Sequence, residues 1–150
     1  MRWSEIGDVR CSVARSLSVV GDRWTLLLLR EAFQGTRRFD DLQTGTGMAR
    51  HLLAERLRTL TEHGVLERRR YSERPERFEY LLTEKGQDLY PVIAALVAWG
   101  DRWMADEHGP PVEMIHEPCG NAITPALACP ACSEWINPAD MRPQPVDVAG

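Results

Sequence analysis

The feature that most restricts this chain's fold is a run of short helical patterns, each stopped by glycine, giving way to two strand patterns. Residues 11–20 place Val13, Leu17 and Val20 at i, i+4 and i+7, and Gly21 ends the pattern. Asp22 suits the N-cap of a second helix over residues 24–33, apolar nearly all round through Leu26 to Leu29, which predicts the buried centre of a domain. A short helix is expected near residues 39–43, with Asp40 and Asp41 in the first turn, where the helix dipole favours anions. Thr44-Gly45-Thr46-Gly47 predicts a break. Residues 49–63 then repeat Leu53, Leu57 and Leu60 and stop at Gly64. Two helices joined by a tight turn with glycine form a helix-turn-helix pattern. Strands are expected over 65–71 and 78–82, joined by a turn-rich stretch at 72–77. Thr83 suits the N-cap of a long helix reaching residue 107, kinked near Gln87 by Pro91.

Proline divides what remains. Eight of the ten prolines follow Gly109, so the 150 residues read as a domain over 8–107, an appendage over 112–137 and a flexible tail over 138–150. The fold class expected is mainly α with a small β-hairpin (α+β): a winged helix-turn-helix with a long C-terminal dimerisation helix and a zinc-ribbon-like tail. A net charge of −4 argues against a nucleic-acid partner until it is resolved by segment. Residues 36–77 carry +3, with ten arginines against seven acids, and residues 78–150 carry −8. The first eight residues have no apolar signal stretch, and the longest apolar run, residues 92–99, falls far short of a membrane span, so a cytoplasmic protein with no membrane partner is expected.

A helix that enters the major groove needs polar side chains outward and an apolar back, and a hairpin can reach neighbouring phosphates. Leu53, Leu57 and Leu60 form the back, which turns Arg50, His51, Ala54 and Arg58 outward. Arg37 and Arg38 precede the short helix, and Arg68, Arg69, Arg70, Arg74 and Arg77 lie on or beside the hairpin. Strand alternation puts Arg68 and Arg70 on one side and Arg69 on the other. Arg56, beside the apolar stripe, reads either as a DNA contact or as an ion-pair partner of an acid such as Glu62 or Asp41. In the last helix Leu89, Ile93, Leu96, Gly100 and Trp103, widened by Val92 and Trp99, make an apolar stripe that calls for a partner helix and predicts a homodimer. Its acids at 84, 88, 101, 106 and 107 are expected to face away from DNA.

The runs Cys11-Ser-Val-Ala-Arg-Ser-Leu17, Val20-Gly-Asp-Arg-Trp24-Thr25, Arg38-Phe-Asp-Asp-Leu42, Leu57-Arg-Thr-Leu-Thr-Glu-His-Gly64-Val-Leu66 and Tyr80-Leu-Leu-Thr-Glu-Lys-Gly86 occur in this order. Together they resemble the HxlR-type family of bacterial transcriptional regulators, relatives of the MarR-like winged helices. The resemblance implies a homodimeric regulator, taken as a repressor, on a pseudo-palindromic operator in double-stranded DNA, with the helix from Ala49 in the major groove and the hairpin as wing. The family commonly has a small hydroxyl residue where this chain has Ala49, which supplies neither a cap nor a phosphate contact. The resemblance also suggests a small-molecule or redox effector, with Cys11 as thiol sensor beside Arg10 at a helix start; the other reading of Cys11 is a small apolar residue buried at the dimer contact.

His116-Glu-Pro-Cys119 and Cys129-Pro-Ala-Cys132 are two knuckles with nine residues between them. Four such ligands can close a tetrahedron around structural Zn2+ and leave no open position for catalysis. The alternatives are a metal-free or disulfide-closed tail, or a redox pair, though no βαβ pattern supports a thioredoxin-like site. No Ser/His/acid order, phosphate-binding glycine loop or open metal site points to an enzyme. The reading that competes with a DNA-binding regulator is an adapter whose winged helix and zinc ribbon dock other proteins.

Overall fold

The computed structural model describes residues 3–146. The chain divides into two compact units, residues 1–93 and 94–150. The first begins with a 3-10 turn, Trp3–Asp8, followed by α1 (Ser12–Val20), α2 (Arg23–Phe33), α3 (Phe39–Thr46) and α4 (Arg50–Glu62). Two antiparallel strands, β1 (Leu66–Glu73) and β2 (Glu76–Leu82), follow, then the single turn α5 (Glu84–Gln87). Helix α6 (Tyr90–Met104) starts in the first unit and runs into the second. The second unit continues with β3 (Met114–His116) and β4 (Asn121–Ile123), paired antiparallel, and a 3-10 turn at Pro138–Asp140. Among the described residues no helix is long and apolar enough to cross a membrane.

The core of the first unit is built where the sequence periodicity puts it. Leu28 and Leu29 of α2 are fully buried against Leu42 of α3 and against Leu53, Leu57 and Leu60 of α4, with Val65, Leu66 and Ile93 closing the cluster. Truncating one such leucine to alanine costs about 2 to 5 kcal/mol through lost burial and the cavity left behind. Helix α2 is the centre but is not apolar all round: Leu27 is exposed, because 3.6 residues per turn carry one member of a four-leucine run off the buried face. Asp22 caps α2 as expected, its Oδ1 accepting from the backbone N–H of Trp24 at 2.9 Å and of Thr25 at 3.2 Å.

Three boundaries differ from the sequence expectation. Helix α3 continues through Gly45 to Thr46, since the Thr44 and Thr46 hydroxyls bond back to the carbonyls of Asp40 and Leu42 and occupy the last turn. The wing is longer than expected, because Ser72 and Glu73 pair with Arg77 and Glu76 past a bulge at Arg70/Ser72, which leaves only Arg74 and Pro75 at the tip. Thr83 caps the one-turn α5, its Oγ1 accepting from Gly86 N–H at 3.1 Å, and the chain breaks before α6 starts at Tyr90. Pro91 therefore opens a helix instead of kinking one, because a first-turn residue has no intrahelical N–H bond to lose.

Candidate nucleic-acid interface

The turn between α3 and α4 is fixed by sequence chemistry on both sides. Gly47 closes α3 at φ +69°, a left-handed conformation that costs glycine no steric clash. Met48 is buried under the turn, and its carbonyl accepts from Gln43 Nε2 at 3.3 Å. Gly45 lies against the buried Glu31 carboxylate so closely that a β-carbon there would overlap it. Arg30 Nη2 bonds both Glu31 (2.6 Å) and the Gly45 carbonyl (3.2 Å), so α2 holds the end of α3 directly. Helix α4 then starts at Arg50 with Ala49 at its N-cap, extended at φ −60° and ψ 140° and giving no side-chain cap. With Leu53, Leu57 and Leu60 buried, Arg50, His51, Ala54 and Arg58 are all exposed along one side, as the spacing predicted.

The arginines fall into two groups. Several already meet carboxylates: Arg50 with Asp40 at 3.2 Å, Arg58 with Glu62 at 3.0 Å, Arg69 with Glu79 at 2.8 Å, and Arg70 with Glu76 at 3.4 Å and Glu73 at 3.6 Å. Arg56 turns to Asp22 (3.7 Å) and Glu55 (3.6 Å), which makes it an ion-pair residue, with partners other than Glu62 and Asp41. Arg37, Arg74 and Arg77 have no carboxylate partner among the described residues. Arg38 and Arg68 are held by rings instead, over Tyr71 at 5.0 Å and Phe78 at 3.5 Å, a contact that fixes a guanidinium while leaving its N–H groups available. Arg50 also lies over Phe39 at 4.6 Å.

The backbone joins these groups. Arg38 bridges to Glu79, and Tyr80 N–H donates to the Arg37 carbonyl at 2.8 Å, so the segment before α3 runs as a short third edge beside β2. The result is an open concavity of about 530 Å³ between α3, the start of α4 and the wing, lined by Arg38, Arg50, Arg68 and Arg77 with Phe39, Tyr71 and Phe78. Arg68 was expected only as one of the hairpin arginines, and the three rings were not expected from the sequence at all. Their signal is the aromatic interleaving of the arginine run in Arg70-Tyr71 and Arg77-Phe78, a pattern associated with nucleic-acid surfaces.

The remaining expected site residues lie elsewhere. Cys11 is exposed at the N-cap of α1. His116 Nδ1 faces Cys119 Sγ at 3.2 Å, and Cys129 and Cys132 form a second pair. The Cys129 thiol is held below its ordinary value by the Cys132 backbone N–H, then by the Ala131 N–H and the Cys132 side chain. Among the described residues no three His, Cys, Asp or Glu side chains come together to hold a metal ion, so the two pairs stand apart.

A helix-turn-helix whose second helix is polar outward and apolar inward, flanked by an arginine-bearing hairpin, is a winged helix-turn-helix module. Residues 19–108 match the HxlR-like helix-turn-helix family, and the chain belongs to it. The uncharacterised HTH-type transcriptional regulator Rv3095 of Mycobacterium tuberculosis is 47% identical over 134 residues, spanning 89% of this chain and 85% of that one. The HTH-type transcriptional regulator YodB of Bacillus subtilis is 33% identical over 100 residues, covering 65% and 89%. Among solved structures, the candidate transcription factor PA1607 superposes with a TM-score of 0.81 at 32% identity, over 92% of this chain and 96% of that one. The redox regulator HypR in its reduced form gives 0.58 at 29%, over 61% and 92%. These relatives are described as transcriptional regulators or transcription factors.

Proposed function

We propose that this chain is a sequence-specific DNA-binding transcriptional regulator that works as a homodimer on a pseudo-palindromic operator. Helix α4 enters the major groove with Arg50, His51, Ala54 and Arg58, while Arg37, Arg38, Arg70, Arg74 and Arg77 contact phosphates on either side. The observation that carries this reading is the two-sided α4, with its leucine back buried and its arginine face open beside a wing that carries Arg74 at its tip and Arg77 next to it. Pairing through the apolar face that α6 leaves exposed brings two such helices to two half-sites. The relatives HypR and YodB are described in redox-defined forms, and we extend the reading to Cys11 as the thiol through which an oxidant alters DNA binding.

Selection of duplexes from a random pool, followed by titration of the full chain at several salt concentrations, tests the proposal. Six to ten phosphate contacts predict a loss of roughly 10³ to 10⁵ in affinity between 50 and 200 mM salt. Arg50→Ala is expected to relax sequence preference by about 1 to 3 kcal/mol at the contacted base, whereas Arg74→Ala weakens all sequences alike. Binding that is indifferent to salt and to both substitutions would instead support a winged-helix adapter for other proteins.

A further inference from the structure

We propose that the segment beyond the family match holds one structural zinc ion per chain, ligated by His116, Cys119, Cys129 and Cys132. Two turns of the same construction carry these residues. In the first, β3 and β4 pair up to His116 opposite Asn121, and the His116 carbonyl accepts from the N–H groups of Cys119 (3.1 Å) and Gly120 (2.8 Å). In the second, a bridge between Ala128 and Trp135 brackets the loop, and the Cys129 carbonyl accepts from Ser133 N–H at 2.8 Å. The residue after the second ligand is left-handed in both, Gly120 at φ +70° and Ser133 at φ +64°. Ser133 is the one non-glycine residue with positive φ among the described residues. A side chain held there against its steric preference marks a turn shaped for some purpose other than chain reversal.

That purpose is visible at the sulfurs. Asn121 Nδ2 lies 3.4 Å from Cys119 Sγ. A donor placed in this way orients a sulfur that a metal uses as a ligand. In the first turn the imidazole and the sulfur already face each other at 3.2 Å, close to the separation of two ligands on one tetrahedral ion. Three thiolates and one imidazole suit zinc over harder cations such as magnesium or calcium. The second unit also has little else to hold it: its large apolar residues, Ile115, Ile123, Leu127 and Trp135 among them, are exposed, and small segments without a core are commonly closed by a metal. Zinc draws the two preformed turns together, and with all four positions filled by protein the site is structural.

The test uses the full chain, purified without a histidine tag under reductant, loaded with zinc chloride and desalted. Elemental analysis is expected to give one zinc per chain. Loading with cobalt(II) instead is expected to give the absorption of a tetrahedral, sulfur-ligated ion. Cys119→Ser and Cys132→Ser should each remove that spectrum while the far-UV helical signal of the winged domain persists, which separates loss of the site from loss of folding. Zinc far below one per chain, one zinc per two chains, an unchanged cobalt spectrum in Cys119→Ser, or a Cys129–Cys132 disulfide forming in place of metal uptake under reductant would each overturn the proposal. DNA binding by the winged domain does not enter any of these readouts.

Discussion

An arginine paired with a carboxylate must exchange that partner before it meets a phosphate or a base, and here that difference separates residues that look alike in the sequence. Arg69 is held by Glu79 and Arg58 by Glu62, whereas Arg68 rests on the Phe78 ring with its donors still free. A run such as Arg68-Arg69-Arg70 gives strand alternation but not partners, because Glu76 and Glu79 reach it only across the hairpin register. The face of α4 was legible residue by residue, since helical spacing alone decides it. The sorting of the wing arginines was not. Cys11 is a residue whose role depends equally on its surroundings. Exposed at the start of α1, it is reachable by small oxidants. On the sensor reading, diamide lowers the DNA affinity of the wild-type chain at least tenfold, and Cys11→Ser abolishes that loss while leaving affinity under reductant unchanged. An undiminished diamide response in Cys11→Ser, measured by anisotropy, would remove Cys11 from that role.

At the scale of elements, helix starts determine how well the recognition surface is held. Asp22 satisfies two N–H groups at the head of α2 and faces Arg56 of α4 at 3.7 Å, so one carboxylate serves the central helix and lies beside the recognition helix. Ala49, at the corresponding position of α4, satisfies none, although its extended backbone is the conformation an N-cap adopts. The expected outcome is a contrast. Asp22→Ala destabilises the winged unit by about 1 to 2 kcal/mol, and Ala49→Ser stabilises it by about 0.5 to 1 kcal/mol, both measured by chemical denaturation. Equal midpoints for Ala49→Ser and wild type would mean that the orphan N–H groups of α4 are satisfied by water at no cost. Both caps could be read from the sequence, as could the helix order. The end of α3 and the break before α6 could not, because each depends on what a threonine hydroxyl or a first-turn proline does once the helix has formed.

For the whole molecule, the net charge of −4 hides a polarity that agrees with the proposed division of labour. Positive charge is concentrated over residues 36–77, the segment of α3, α4 and most of the wing, while the −8 of residues 78–150 includes α6 and the two cysteine-bearing turns. An acidic segment next to DNA would oppose binding, so α6 is better suited to protein contact. Its side chains agree: Ile93 is buried, but Leu96, Trp99 and Trp103 are 48%, 58% and 65% exposed, an apolar stripe too large for a solitary helix face to leave in water without consequence. Helix α1 leaves Val13 and Leu17 exposed as well. For the proposed homodimer, light scattering at micromolar concentration is expected to give about twice the 17.0 kDa mass of the chain. Trp99→Asp places a charge in the stripe at a position already open in the single chain, so the fold is retained and the dimer is lost. Because the second half-site is then no longer bound by a tethered partner, affinity for the full operator should fall by about 10² to 10⁴ while affinity for an isolated half-site is unchanged. A monomeric wild-type chain, or a monomeric Trp99→Asp variant that binds the full operator as tightly as wild type, would show that two copies are not what the operator reads.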